Sequence, residues 1–195
     1  MKGLLAAVSV TALLAAAPAW AQNTATENRA LNQQDKTFIQ QAGAGSLAEV
    51  ELGQLAEQKA ATPAIREFGR WMATDHSLAN KWLTSVLQEE HENVQPTLTA
   101  EQRQEKQKLE GLSGAQFDRQ YIDHMVQDHE KTVPLFEKEA REGHNPALRT
   151  FAESLTPVLQ QHFAEAKELA GTGGVAGREG TAGTAERTGT STPQR

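Results

Sequence analysis

Four side chains able to ligate a metal fall one per helix-compatible segment, each on that segment's apolar face: Glu49, His76, His129 and His162. At roughly 100° per residue, Phe38, Ala42, Gly45, Leu52 and Ala56 form a stripe that contains Glu49, while Glu51 points away. His76 lies among Ile65, Phe68, Met72, Ala79, Leu83 and Val86. His129 shares a face with Phe117, Tyr121, Met125, Leu135 and Phe136, and His162 shares one with Leu148, Phe151, Leu155, Leu159, Ala166 and Leu169. The chain has no cysteine, so any metal here must be held by nitrogen and oxygen. Zinc, copper, iron and manganese all accept such donors. The same residues also fit a metal-free polar cluster in which Glu49 accepts hydrogen bonds from the histidines.

Their heights agree. Glu49 stands about 17 Å before the first expected hairpin turn and His76 about 20 Å after it, at 1.5 Å per residue. His129 and His162 stand roughly 20 and 24 Å from the second turn. In helices about 40 Å long, all four positions fall near the middle. Asp75 and Asp128 directly precede His76 and His129, where they would orient those imidazoles or simply face solvent. Asp123-His124 is the same dipeptide lying off the apolar face. Trp71 and Trp82 flank the stripe as packing residues.

The elements that position these groups are announced by an internal repeat. Thr62-Pro63-Ala64-Ile65-Arg66-Glu67-Phe68-Gly69 returns as Asn145-Pro146-Ala147-Leu148-Arg149-Thr150-Phe151-Ala152, an offset of 145 − 62 = 83. Each copy reads as a helix start, with Thr or Asn as the capping oxygen and Pro at the first helical position. Helices are expected over 35–60, 63–91, 113–143 and 146–170. Gly43 and Gly45 should allow a neighbour to approach the first of them. Two such hairpins bury their stripes by pairing, which predicts an all-α four-helix bundle. Between the hairpins runs a crossover, 94–113, with a short charged helix opened by the capping box Thr99-x-x-Gln102; Ser113-x-x-Gln116 is a second box. Pro134 and Pro157 fall inside helices and should kink them.

Residues 1–21 carry Lys2, an apolar run from Leu4 to Ala17 and then Ala19-Trp20-Ala21. That is the pattern of a secretory signal peptide cleaved between Ala21 and Gln22, and it predicts a periplasmic or secreted protein. The run is shorter than the roughly 20 apolar residues of a membrane span, so no span is expected in the mature chain. Residues 22–34 read as a flexible segment, 35–170 as the bundle, and 171–195 as a Gly/Thr-rich tail too poor in apolar residues to order itself. The formal charge of −6 becomes −7 once Lys2 is removed. That acidic balance argues against nucleic acid as a partner.

The segments Ala48-Glu49-Val50-Glu51-Leu52-Gly53, Asp75-His76, Phe117-Asp118-x-x-Tyr121, Met125-Val126-x-Asp128-His129 and the late His162 resemble the domain of unknown function 4142 family. The resemblance covers about residues 35–169. It implies a ferritin-like four-helix bundle in an exported bacterial protein and brings no established activity or catalytic residue. Related di-iron bundles use Glu-x-x-His on two helices; that spacing is missing here, and His162-x-x-Glu165 runs in the opposite order. Three functions stay open: a bundle binding a divalent transition metal, a metal-dependent redox or metal-handling enzyme, and an envelope interaction protein with a metal-free core.

Overall fold

A computed structural model of the chain describes residues 30–172, so the expected signal peptide, most of the segment 22–34 and nearly all of the tail lie outside the described residues. Five helices follow: α1 (Gln33–Lys59), α2 (Pro63–Glu89), α3 (Ala100–Glu110), α4 (Gly114–Glu142) and α5 (Pro146–Gly171). The four long ones form an all-α, ferritin-like bundle of two hairpins, α1–α2 and α4–α5. Helix α1 also packs on α4, and α2 on α5.

Local chemistry sets the helix starts. Helix α1 begins two residues before the expected Asp35, because Asn32 takes the cap. Its side chain accepts from Asp35 N–H at 2.9 Å while Asp35 accepts from Asn32 N–H at 2.9 Å. Leu31 just before it is buried, so the end of the segment expected to be flexible is packed. Thr99 and Gln102 form the expected capping box of α3, and Asn145 caps α5 by accepting from Ala147 and Leu148 N–H. Two caps differ from expectation. Ser113 makes no side-chain cap bond. Thr62 makes none either; its hydroxyl instead donates to Asp118 at 2.6 Å. Helix α2 stops at Glu89 rather than His91, which sits in the left-handed region at φ 58°. Pro134 and Pro157 are carried inside continuous helices.

The turns explain why the repeat includes an Arg. Arg66 donates to the carbonyls of Ala60 and Ala61 at 2.6 and 2.8 Å, and Arg149 does the same to Gly143 and His144 at 2.9 and 3.0 Å. Each Arg neutralises carbonyls that the preceding helix end leaves without partners. A buried carboxylate from the other hairpin closes each turn. Asp118 accepts from Ala61 and Thr62 N–H, and Asp35 accepts from His144 and Asn145 N–H. The start of α1 therefore meets the second turn, and the start of α4 meets the first. The hairpins run antiparallel, and the crossover carries the chain back along the bundle.

Of the two glycines expected to allow close approach, Gly43 does so, since a Cβ there would lie 2.3 Å from Pro96 of the crossover. Gly45 does not, because a Cβ there would meet nothing within 4 Å. The tight helix contact is made lower down, by Gly53 and Gly69. A Cβ on Gly53 would lie 2.5 Å from the Gly69 carbonyl oxygen.

Two apolar layers result. One holds Phe38, Phe136 and Phe151 near the second turn, and the other holds Ile65, Phe68, Phe117 and Tyr121 near the first. Burial of each large side chain contributes about 1.5–3 kcal/mol. Between the layers, at mid-height, the core turns polar.

Candidate metal centre

Glu49, His76, His129 and His162 are all buried, between 1% and 6% exposed. Each histidine ties up one ring nitrogen and leaves the other bare. The Ser46 hydroxyl donates to the His76 carbonyl at 3.0 Å, so its oxygen is free to accept from His76 Nδ1 at 3.3 Å. His129 Nδ1 donates to the Met125 carbonyl at 3.0 Å, and His162 Nε2 donates to Asp75 at 3.0 Å. His76 Nε2, His129 Nε2 and His162 Nδ1 are left without a hydrogen-bond partner, as are Glu49 Oε2 and the Tyr121 hydroxyl.

One nitrogen from each of the three histidines lies within 4.8 Å of the other two. Ligands at about 2.1 Å from one ion sit at most about 4.2 Å apart, so small side-chain rotations close this set on an ion. Glu49 does not join all three histidines at that range. It belongs to a second, overlapping group with Asp128 and His129. The four residues expected from the sequence are thus brought together as two groups that share His129.

Electrostatics keeps the layer uncharged. Burial, reinforced by His129 and His162 beside it, lowers the His76 pKa to about 3. Burial and His129 lower that of His162 to about 3, and burial lowers that of His129. Burial, then Asp128, holds the Glu49 carboxyl well above its usual range, and burial, then Glu49, raises the Tyr121 phenol. His162 and Asp75 therefore meet as a neutral imidazole N–H donating to a carboxylate rather than as an ion pair. Burial raises the Asp75 pKa and the Trp71 indole opposes that shift.

Asp75 and Asp128 do not serve the histidines that follow them in sequence. Asp75 orients His162 across the α2–α5 seam, and Asp128 faces Glu49 while accepting from the Thr132 hydroxyl at 3.1 Å. Trp71 is more than packing, since its ring stands edge-on to His162 with centroids 4.7 Å apart. Ser46 and Tyr121 were absent from the expected set. Ser46 lies three residues before Glu49 on the same helical face, a spacing that would have found it. A cavity of about 30 Å³ borders Ser46, Glu49, His76, Asp128 and His162.

The donor set fits a transition metal. Leaving a buried polar atom unpartnered costs about 1–3 kcal/mol, and five such atoms occupy this one layer. One cation answers several of them at once.

Comparison with known proteins adds fold and family. No curated protein matches the chain. A crystal structure of a DUF305 fragment from Deinococcus radiodurans is similar, with a TM-score of 0.64 and 13% identity over 72% of this chain and 97% of that one. At that identity the likeness speaks for the helical fold alone. The family described as domain of unknown function (DUF4142) matches residues 20–169. That span takes in α1 to α4, all but the last two residues of α5 and the whole polar layer, and the chain belongs to this family.

Proposed function

We propose that this protein is an exported metal-binding bundle in which His76, His129 and His162 hold one divalent transition-metal ion at mid-height, with Glu49 as the adjoining carboxylate. The observation that carries this reading is that one nitrogen of each imidazole lies within 4.8 Å of the other two, on rings that each have one nitrogen committed and the other bare. Fixing one nitrogen of a histidine in this way sets the tautomer and aims the other at a metal. Export rests on the apolar leader and Ala19-Trp20-Ala21.

The test is elemental analysis of purified protein after mild chelation and reloading with zinc, copper, iron or manganese. The expected result is one ion per chain and a higher melting temperature when loaded, because a ligand of the folded state alone stabilises it. Replacing His76, His129 or His162 with Ala should abolish most of the uptake, whereas His124→Ala should not. A wild type that stays below stoichiometric metal, with melting indifferent to every ion, would leave a metal-free polar core as the correct reading.

A further inference from the structure

Gly45 occupies the middle of a 27-residue helix, where glycine costs roughly 1 kcal/mol relative to alanine. Gly43, Gly53 and Gly69 each answer a close neighbour, at 2.3, 2.5 and 2.7 Å from a Cβ, but Gly45 answers none. What the missing side chain leaves beside it is part of the 30 Å³ cavity that also borders Glu49, His76, Asp128 and His162. Ala42, Ala79, Phe136 and Leu159 add hydrocarbon to its walls, and Gln41, Ser46, Asp75 and Thr132 add polar groups. A water needs about 10–15 Å³ measured in this way, so the space accommodates two or three heavy atoms.

Gln41 and Gly45 on α1 and Asp128 and Thr132 on α4 border the cavity along the α1–α4 seam, and all four are partly or fully exposed to solvent. Three protein nitrogens leave a transition metal short of the usual four ligands.

We infer that the space beside Gly45 is a ligand pocket, through which a small Lewis base of two or three heavy atoms reaches the open position of the ion held by the histidines. The inference rests on the metal reading proposed above. It makes Gly45 the residue that sets ligand size. Rings and larger molecules exceed the pocket's volume.

The experiment uses the full chain loaded with cobalt(II), with azide as the probe and imidazole as the oversized control. Cobalt content is measured first. With one cobalt bound per chain, azide should shift the visible bands with single-site saturation, and imidazole should leave them unchanged. Gly45→Leu should keep its cobalt and weaken azide about tenfold or more, equivalent to about 1.4 kcal/mol. Gly45→Ala, which helix propensity favours, guards against a misfolded leucine variant and should weaken azide several-fold. Cobalt-loaded wild type that ignores azide, or Gly45 variants that bind azide as the wild type does, would overturn the pocket and leave the metal site standing. Failure to load cobalt, zinc or copper would overturn both.

Discussion

Asp35 and Asp118 stand 118 − 35 = 83 positions apart and perform the same task at opposite ends of the bundle. Each is almost fully buried, and each accepts two backbone N–H groups from the turn of the other hairpin. The carboxylates are thus the clasps that lock one hairpin to the other. Asp118→Ala would strand two amides and the Thr62 hydroxyl, and hydrogen bonds to a charged partner contribute about 1.5–3 kcal/mol each. Urea denaturation should show a loss of about 3 kcal/mol or more with an unchanged slope. A loss below half a kcal/mol would show that water replaces the carboxylate at no cost.

Asp75 is partly exposed, so an isosteric change there should disturb the fold little. Asp75→Asn replaces the carboxylate that commits His162 Nε2 to carrying the proton with a neutral amide, whose NH2 can present a donor to that nitrogen instead. Outer partners of this kind typically contribute 10–100-fold in metal affinity. Competition with a chelator should show a drop in that range, while the metal-free variant melts within a degree or two of the wild type. Equal metal affinity in the two proteins would mean that Asp75 does not position His162.

In the metal-free protein the buried imidazoles should cost stability in mild acid. His76 and His162 are held near pKa 3 when folded, against 6.5 when unfolded. Below pH 6.5 the unfolded chain binds protons that the folded chain refuses. Each of these groups then removes about 1.4 kcal/mol per pH unit until about pH 3. Burial raises the pKa values of Glu49, Glu139 and Asp75, which oppose this slope, and lowers that of His129, which adds to it. The imidazole share of the slope is read from melting temperatures of chelator-treated protein between pH 7 and pH 5, wild type against variant. His76→Leu should fall less steeply, and identical slopes would argue against burial of a neutral imidazole there.

Glu139 should act with the opposite sign. It is buried beside Asp35, has one oxygen without a partner and receives the Gln34 amide on the other. Burial raises its pKa to about 7, the Gln34 bond and Arg149 hold it down, and Asp35 pushes it further up. Its contribution is present below pH 4.5 and is lost as pH rises toward 7, at no more than about 1.4 kcal/mol per unit. Glu139→Gln mimics the protonated form. It should raise the melting temperature at pH 8 and leave it unchanged at pH 4.

Export is checked by intact mass. Protein recovered from the periplasm should lack the first 21 residues and begin at Gln22, as Ala19-Trp20-Ala21 directs. A full-length mass in the membrane fraction would contradict it.

Much of this was legible because helix period and capping are local. The stripe arithmetic placed Glu49, His76, His129 and His162 inward because 3.6-residue periodicity needs no knowledge of the neighbours. The relations that escaped it cross between helices. Asp75 adjoins His76 in sequence yet serves His162, since adjacent helical residues point about 100° apart and only packing decides which neighbouring helix they face. Gly43 and Gly45 look alike in sequence, and only the path of the crossover, with Pro96, distinguishes them. One signal was within reach. Asp35-Lys36-x-Phe38-Ile39 and Asp118-Arg119-x-Tyr121-Ile122 share the offset of 83 and mark both clasps.

That offset bears differently on the polar layer. Subtracting or adding 83 takes His129 to Ser46, His162 to Ala79, His76 to Leu159, Asp75 to Val158, Asp128 to Gly45 and Glu49 to Thr132. All six counterparts, Ser46 among them, are small, apolar or uncharged residues bordering the cavity. The cavity is therefore the blank half of a pseudo-symmetric chamber whose other half carries the donors. A frame built twice has been furnished once, so its two halves share a backbone plan and differ in chemistry.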